Sequence, residues 1–252
     1  MSKDVFPFER LPPELRNAIY ELLIPTGNKV QVRRSRVGGG AQSDFKLRLD
    51  IVDTTAVRRP KRRATQPAKI IGPFLPQNGT AILRMNKLAY AEALPIIYGA
   101  NTFVFNSMPS LVQFAKQAKR GVPCLRDVTL ATCTTTSMAR ALPRLGKTMS
   151  LWRLTITLNP CPASAADAAK ALFKGARAFV EVENDEAARR HRFELLRFEI
   201  DGNLIKARVG SWNLQADSEA DLADAAAVKV KSELERWLIK SGTLERATVS
   251  AR

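Results

Sequence analysis

Strand-like and helix-like segments alternate along the second half of this chain, and this alternation limits the fold more than any other feature. Trp152, Leu154 and Ile156 alternate with polar residues, which is the period of a half-buried strand. Residues 218–240 repeat apolar residues at helical spacing instead, behind Ser218 as a helix N-cap. Strands that alternate with helices form βαβ units and a parallel sheet. The chain is therefore expected to have an α/β fold, with α+β as the alternative.

The three clearest strand segments share a leucine at their first position. They are residues 125–130, 151–158 and 195–200. This shared start resembles leucine-rich repeats, although the spacing between the segments is irregular. It predicts a short, irregular leucine-rich-repeat-like sheet with alternating helices over residues 106–252, ending in a C-terminal helix.

An amphipathic helix is predicted over residues 11–24. Pro12 and Pro13 fit the first turn, where a missing backbone N–H costs nothing, and Pro25 follows the last turn. Between them, apolar residues recur at i, i+4, i+7 and i+8 and form one stripe. The stripe consists of Leu15, Ile19, Leu22 and Leu23.

The segment that follows, residues 29–79, has a different period and a strong positive charge. Residues 29–52 alternate apolar and basic positions around a glycine run, which predicts a two-stranded ribbon with one basic face. The proline-containing residues 54–79 are expected to form a linker, disordered around 58–66. Helical spacing returns at Leu83, with Thr80 as a possible N-cap, and residues 101–105 predict a short strand.

The charge of the chain points to an acidic partner. The net charge is +16, and residues 29–69 alone hold twelve basic residues against three aspartates. The densest run contains Arg58, Arg59, Lys61, Arg62 and Arg63. Such a run can be a nuclear import signal, a contact to nucleic-acid phosphates, or a solvated loop, and the sequence leaves these three open.

No catalytic, metal or cofactor pattern competes with these features. The only histidine, His191, has no partner in a known catalytic motif and is expected on a helix surface. The three cysteines are too widely spread for a zinc site or a disulfide framework. No apolar run is long enough to span a membrane, and no signal peptide is expected. The sequence predicts a non-enzymatic protein without cofactors, located in the nucleus and/or cytoplasm and not secreted.

Four short motifs carry a resemblance to a known family. They are LPPELRNAIY at residues 11–20, LRMNK at 83–87, YAEALP at 90–95 and YGANTF at 98–103. Together they resemble fungal F-box-like proteins of unknown function. The resemblance implies an F-box-like region at residues 1–105 that is split by the basic insertion 29–79. Residues 106–252 would then form an α/β region within one compact unit.

The resemblance also implies a partner. F-box families use the Leu-Pro pair and the apolar stripe that follows it to bind a Skp-type adaptor of cullin–RING ubiquitin ligases. On this chain the implied adaptor-binding residues are Leu11, Pro12, Leu15, Ile19, Leu22 and Leu23.

Three hypotheses therefore remain. The first is an F-box-like receptor that joins an adaptor to an unidentified client protein. The second is a nuclear basic protein that contacts nucleic acid through residues 29–69. The third is a scaffold whose F-box-like helices are buried. Exposure of Leu11, Leu15 and Leu22 separates the first from the third, and one contiguous basic face would favour the second. That face would consist of Lys29, Arg33, Lys46 and Arg48.

Overall fold

The fold is known from a computed structural model. It describes residues 7–37, 44–53, 69–73, 83–131, 142, 145–146, 151–158, 163–200, 212, 214 and 218–245. The α-helices of ten or more residues in these ranges are α1 (Pro13–Leu23), α2 (Lys87–Gly99), α3 (Met108–Gln117), α4 (Ala165–Val180), α5 (Glu186–Leu195) and α6 (Glu219–Lys240). The strands are β1 (Lys29–Val37), β2 (Asp44–Asp53), β3 (Lys69–Pro73), β4 (Thr102–Phe105), β5 (Asp127–Leu130), β6 (Arg153–Leu158) and β7 (Leu196–Ile200).

All of these strands belong to one mixed sheet, in the order β3-β2-β1-β4-β5-β6-β7. Neighbouring strands are parallel along the series β1-β4-β5-β6-β7. Beside β1, β2 and β3 form the edge of the sheet with antiparallel pairing. The predicted α/β fold is confirmed. Each new parallel strand is placed next to the previous one, as in a repeat protein, so right-handed crossovers place the connecting helices on the same face of the sheet.

Apolar side chains form continuous rows across that face. One row is Val30, Phe103, Val128, Leu154 and Leu196, which occupy matching register positions on five parallel strands and are all fully buried. The leucines at the first positions of the sequence pattern, Leu125, Leu151 and Leu195, come before these strands and are not part of the row. Trp152 also precedes β6, and its side chain is exposed.

The helices cover these rows. The ring of Phe114 in α3 lies 5.6 Å from Phe103 and 5.2 Å from Phe105, between ring centroids. The C-terminal helix α6 packs on α4 and β7, with Ser218 accepting a hydrogen bond from the backbone N–H of Asp221 as the predicted N-cap. On the other face of β7, Arg197 and Glu199 are exposed.

The basic insertion is part of the sheet and not an appendage. β1 pairs with β2 on one side and with β4 on the other, so the regions 1–105 and 106–252 share a single sheet. The expected linker also contains a strand, β3, because the β-branched residues Ile70 and Ile71 suit an edge position that tolerates Pro73. The interpretation of residues 54–79 as linker alone is therefore wrong, whereas residues 58–66 lie outside the described ranges.

Candidate functional site

Helix α1 lies within the segment 11–24 that the sequence indicates and is slightly shorter. Pro13 is its first residue, and the chain leaves the helix at Ile24, whose backbone is extended. Gly27 then adopts a φ of +70°, a left-handed conformation that glycine accepts without strain, and the chain enters β1. This turn places α1 beside α2. Side chains of the two helices, which are far apart in the sequence, hold them together.

The inward face of α1 is polar at its centre. Arg16 and Tyr20 are both buried, and both contact the Glu92 carboxylate of α2. Arg16 donates from Nε to Oε2 at 2.9 Å and from Nη2 to Oε1 at 2.6 Å, and the Tyr20 hydroxyl donates to Oε2 at 3.1 Å. Arg16 also donates to the backbone oxygens of Glu9 and Leu11. A two-bond guanidinium–carboxylate pair of this kind fixes orientation as well as contact.

Charge and burial shift the ionisation of these groups. Hydrogen bonds from Arg16 lower the pKa of Glu92, and the hydrogen bond to Glu92 raises the pKa of Arg16. Burial, followed by the hydrogen bond to Glu92, raises the pKa of Tyr20 to about 12. At neutral pH the network therefore consists of a charged pair and a neutral phenol that donates to it.

A second contact ties the end of α1 to the end of α2. The buried side chain of Asn101 donates to the backbone oxygens of Pro25 and Ile97, at 2.9 and 3.0 Å, and accepts from the backbone N–H of Asn28 at 3.0 Å. The motifs around residues 11–20 and 83–103, which are far apart in the sequence, thus form one unit in space.

The outward face of α1 is apolar. Leu22 is 85% exposed, Leu15 53% and Leu23 48%. Pro12 is exposed as well, whereas Leu11 and Ile19 are half-buried. These six residues are the adaptor-binding candidates of the sequence, and three of the leucines lie at the surface. Because Arg16 and Tyr20 occupy the inward side, the apolar stripe is not used to attach this helix to its own core.

The ribbon β1–β2 has the opposite arrangement. Val30 and Val32 are buried in the core, and the other face carries cations. On that face Arg33 lies directly opposite Arg48 in the antiparallel register, and Lys29 is exposed. The side chain of Lys46 and the whole run from Arg58 to Arg63 (Arg58, Arg59, Lys61, Arg62 and Arg63) lie outside the described part of the chain.

Among the residues of the site, sequence reasoning did not single out Arg16, Glu92 and Asn101. A weak signal exists for each. Arg16 is a charge close to the apolar stripe of a short helix, Glu92 is the one acidic residue of an apolar helix, and Asn101 stands directly before a strand. None of these signals identifies a partner, because the ion pair joins residues 76 positions apart.

Other kinds of site find little support. In the described ranges, no group of three or more His, Cys, Asp or Glu side chains could hold a metal ion. His191 lies exposed on α5. Within the same ranges, no helix is long and apolar enough to cross a membrane.

Comparison with known proteins gives one match. Residues 3–130, about half of the chain, match the model of a domain of unknown function, DUF7730. The match extends from before α1 to the end of β5, so it includes the outward leucines, the Glu92 network and the basic ribbon. No curated protein and no solved structure matches the chain. The chain belongs to the DUF7730 family, a family defined by a domain of unknown function.

Proposed function

We propose that this protein is a non-enzymatic, F-box-like interaction module in which α1 binds a Skp-type adaptor of a cullin–RING ubiquitin ligase. One observation carries the proposal. The apolar stripe of α1 faces solvent, while the inward face of the same helix is occupied by Arg16, Tyr20 and their contacts to Glu92. A short helix that presents leucines to solvent is suited to a groove on another protein.

The energetics of such binding are reasonable. Each leucine side chain that moves from water into an apolar groove contributes roughly 1.5–3 kcal/mol before the costs of association. Leu15 and Leu22 offer this gain because both are exposed in the free protein. A scaffold with buried F-box-like helices would need these side chains inside, so their exposure favours the adaptor over that hypothesis. In this proposal, the α/β sheet presents a binding surface to a client protein, and the site does not identify that client.

Co-purification from native lysate tests the proposal. Leu15→Asp combined with Leu22→Asp should abolish capture of a Skp-type adaptor and cullin. Each carboxylate would be buried in the adaptor groove without a partner, and its desolvation costs on the order of several kcal/mol. The matched control is Val182→Asp with Val228→Asp, which places two carboxylates on exposed aliphatic positions outside α1. The control should still capture the adaptor. Failure of the wild-type protein to capture any adaptor would remove the main support for this function.

Contact with nucleic acid in the nucleus is a second candidate function. It is favoured by Arg33 and Arg48, which lie opposite each other on the face of the ribbon that points away from Val30 and Val32, and by the net charge of +16. The two functions use different surfaces, so each can be tested without disturbing the other.

A further inference from the structure

Two arginines face each other on the ribbon in a way that a sheet normally avoids. Arg33 of β1 pairs directly with Arg48 of β2 in the antiparallel register. The Cβ atoms of such a pair are about 5 Å apart, and like charges at that distance destabilise the strand pairing. An anion between the two guanidinium groups would remove this repulsion.

Both guanidinium groups are already oriented. The Nε of Arg33 donates to Oε1 of Gln31 at 2.6 Å, and the Nε of Arg48 donates to Oδ1 of Asp50 at 2.7 Å. Gln31 and Asp50 are themselves a cross-strand pair, and both are buried. The two arginines therefore lean the same way along the ribbon and lie side by side. Within the described ranges, the Nη groups of the two arginines make no hydrogen bond.

The charges on this face favour an anion. Lys29 follows the same two-residue period on β1, is exposed and has no partner among the described residues. Asp50 is the one acidic residue of β1 and β2 whose side chain the structure describes, and it faces the cations Lys29, Arg33 and Arg48. Asp50 uses one oxygen for Arg48, and its Oδ2 has no hydrogen-bond partner in the described part of the chain. We infer that Arg33 and Arg48 form a binding site for one phosphate group of a nucleic-acid backbone.

The layout of the cations favours a chain of phosphates over a single free ion. Lys29 is four residues from Arg33 along β1, which corresponds to about 13 Å in a strand. β2 then ends at Asp53, at the Lys29 end of the ribbon, and the chain continues from there into the basic run that begins at Arg58. Cations spread over this length of the ribbon match an extended polyanion better than a single free ion. This inference rests on the second candidate function and is independent of adaptor binding.

Salt titration of duplex DNA binding by the full chain tests the inference. Arg33→Gln with Arg48→Gln should make the slope of log affinity against log salt shallower by about 0.9, the value for one lost phosphate contact. Arg33→Lys with Arg48→Lys should keep the slope but lower the affinity several-fold, because lysine lacks the planar fork. The matched control is Arg84→Gln with Arg197→Gln, which removes two exposed arginines that have no partner among the described residues. The control should keep both slope and affinity.

Each other result has a distinct meaning. If the wild-type protein binds DNA but the Arg33/Arg48 variant behaves like the control, the arginine pair is not the site, although the candidate function stands. If the wild-type protein does not bind DNA, both are overturned. If inorganic phosphate raises the thermal midpoint of the wild type only, and DNA binding is the same in all variants, the pair binds a different phosphate source and the inference as stated fails.

Discussion

Helix α1 and the ribbon β1–β2 follow each other in the sequence. Both contain aliphatic residues and arginines, but they place them on opposite sides with respect to the core. The ribbon buries Val30 and Val32, exposes Arg48 and leaves Arg33 half-buried, as an amphipathic element usually does. α1 buries Arg16 and exposes Leu15 and Leu22. The difference shows that amphipathic patterning identifies two faces but does not decide which one faces the core. In α1 that choice is made by a partner, Glu92, located on another helix.

The comparison also bears on function. A face that exposes apolar residues and a face that exposes cations select different partners, the first an apolar groove and the second an anion. Both faces lie within the part of the chain that matches the family model. The family domain therefore presents two chemically different surfaces, and the proposals above assign one partner to each.

The orientation of α1 can be tested most directly with two apolar residues that are two positions apart. Ile24 is 2% exposed and Leu22 is 85% exposed. Ile24→Ala should lower the free energy of unfolding by about 2–5 kcal/mol, because it leaves a cavity in the core. Leu22→Ala should stay within about 0.5 kcal/mol. Urea denaturation of both variants measures the difference, and equal losses would mean that the stripe of α1 faces the core after all.

Removing the partner of Arg16 should have the next largest effect. Glu92→Gln leaves Arg16 beside a neutral group, so the thermal midpoint should fall by less than in Ile24→Ala but by more than in the control Glu21→Gln, an exposed carboxylate of α1. The double variant Arg16→Met with Glu92→Leu should recover part of the loss, since apolar residues can replace a buried pair. A midpoint for Glu92→Gln equal to that of the control would show that the pair does not hold α1.

The same pair gives a pH dependence whose sign follows from the lowered pKa of Glu92. Its hydrogen bonds from Arg16 stabilise the ionised carboxylate in the folded protein, and the ordinary value is 4.5. The stabilisation is therefore complete above pH 4.5 and is lost as the pH falls through the lower pKa of the folded state. The difference in unfolding free energy between the wild type and Glu92→Gln should shrink over that range in denaturation curves.

Much of the fold can be predicted from the sequence, because local patterns decide local structure. The strands β5, β6 and β7 and the helix α6 lie where alternation and helical spacing indicate them. The strand β3 could not be predicted in the same way, because an edge strand of five residues has little pattern of its own and depends on pairing with β2.

The candidate site could be predicted only in part. The apolar stripe is visible in the sequence, but its exposure depends on the contacts of Arg16 and Tyr20 with Glu92. The cross-strand position of Arg33 and Arg48 depends on the register, which the glycine-containing sequence between β1 and β2 does not reveal by itself. In both cases the missing information is a contact between distant residues.

The smallest effect on stability is expected from the most highly charged segment. Replacing Arg58, Arg59, Lys61, Arg62 and Arg63 with alanine should leave the thermal midpoint nearly unchanged, because surface changes away from packing usually stay within about 0.5 kcal/mol each. The variant should nevertheless move a fluorescent fusion, large enough to require active import, from the nucleus to the cytoplasm. A matched control removes five exposed cations elsewhere, namely Arg10, Arg84, Lys87, Lys170 and Lys174. The control fusion should remain nuclear.

The same five-residue variant separates import from phosphate contact. If the run touches the DNA backbone, the affinity of the wild type falls steeply with salt, and the slope becomes shallower in the variant, beyond any change in the control. If the run serves import alone, the variant loses its nuclear signal while DNA binding and its salt slope match those of the control. A variant that stays nuclear and keeps the wild-type slope would show that the run serves neither import nor phosphate contact. The ribbon, where Arg33 and Arg48 lie opposite each other, would then remain the candidate surface for phosphate contact.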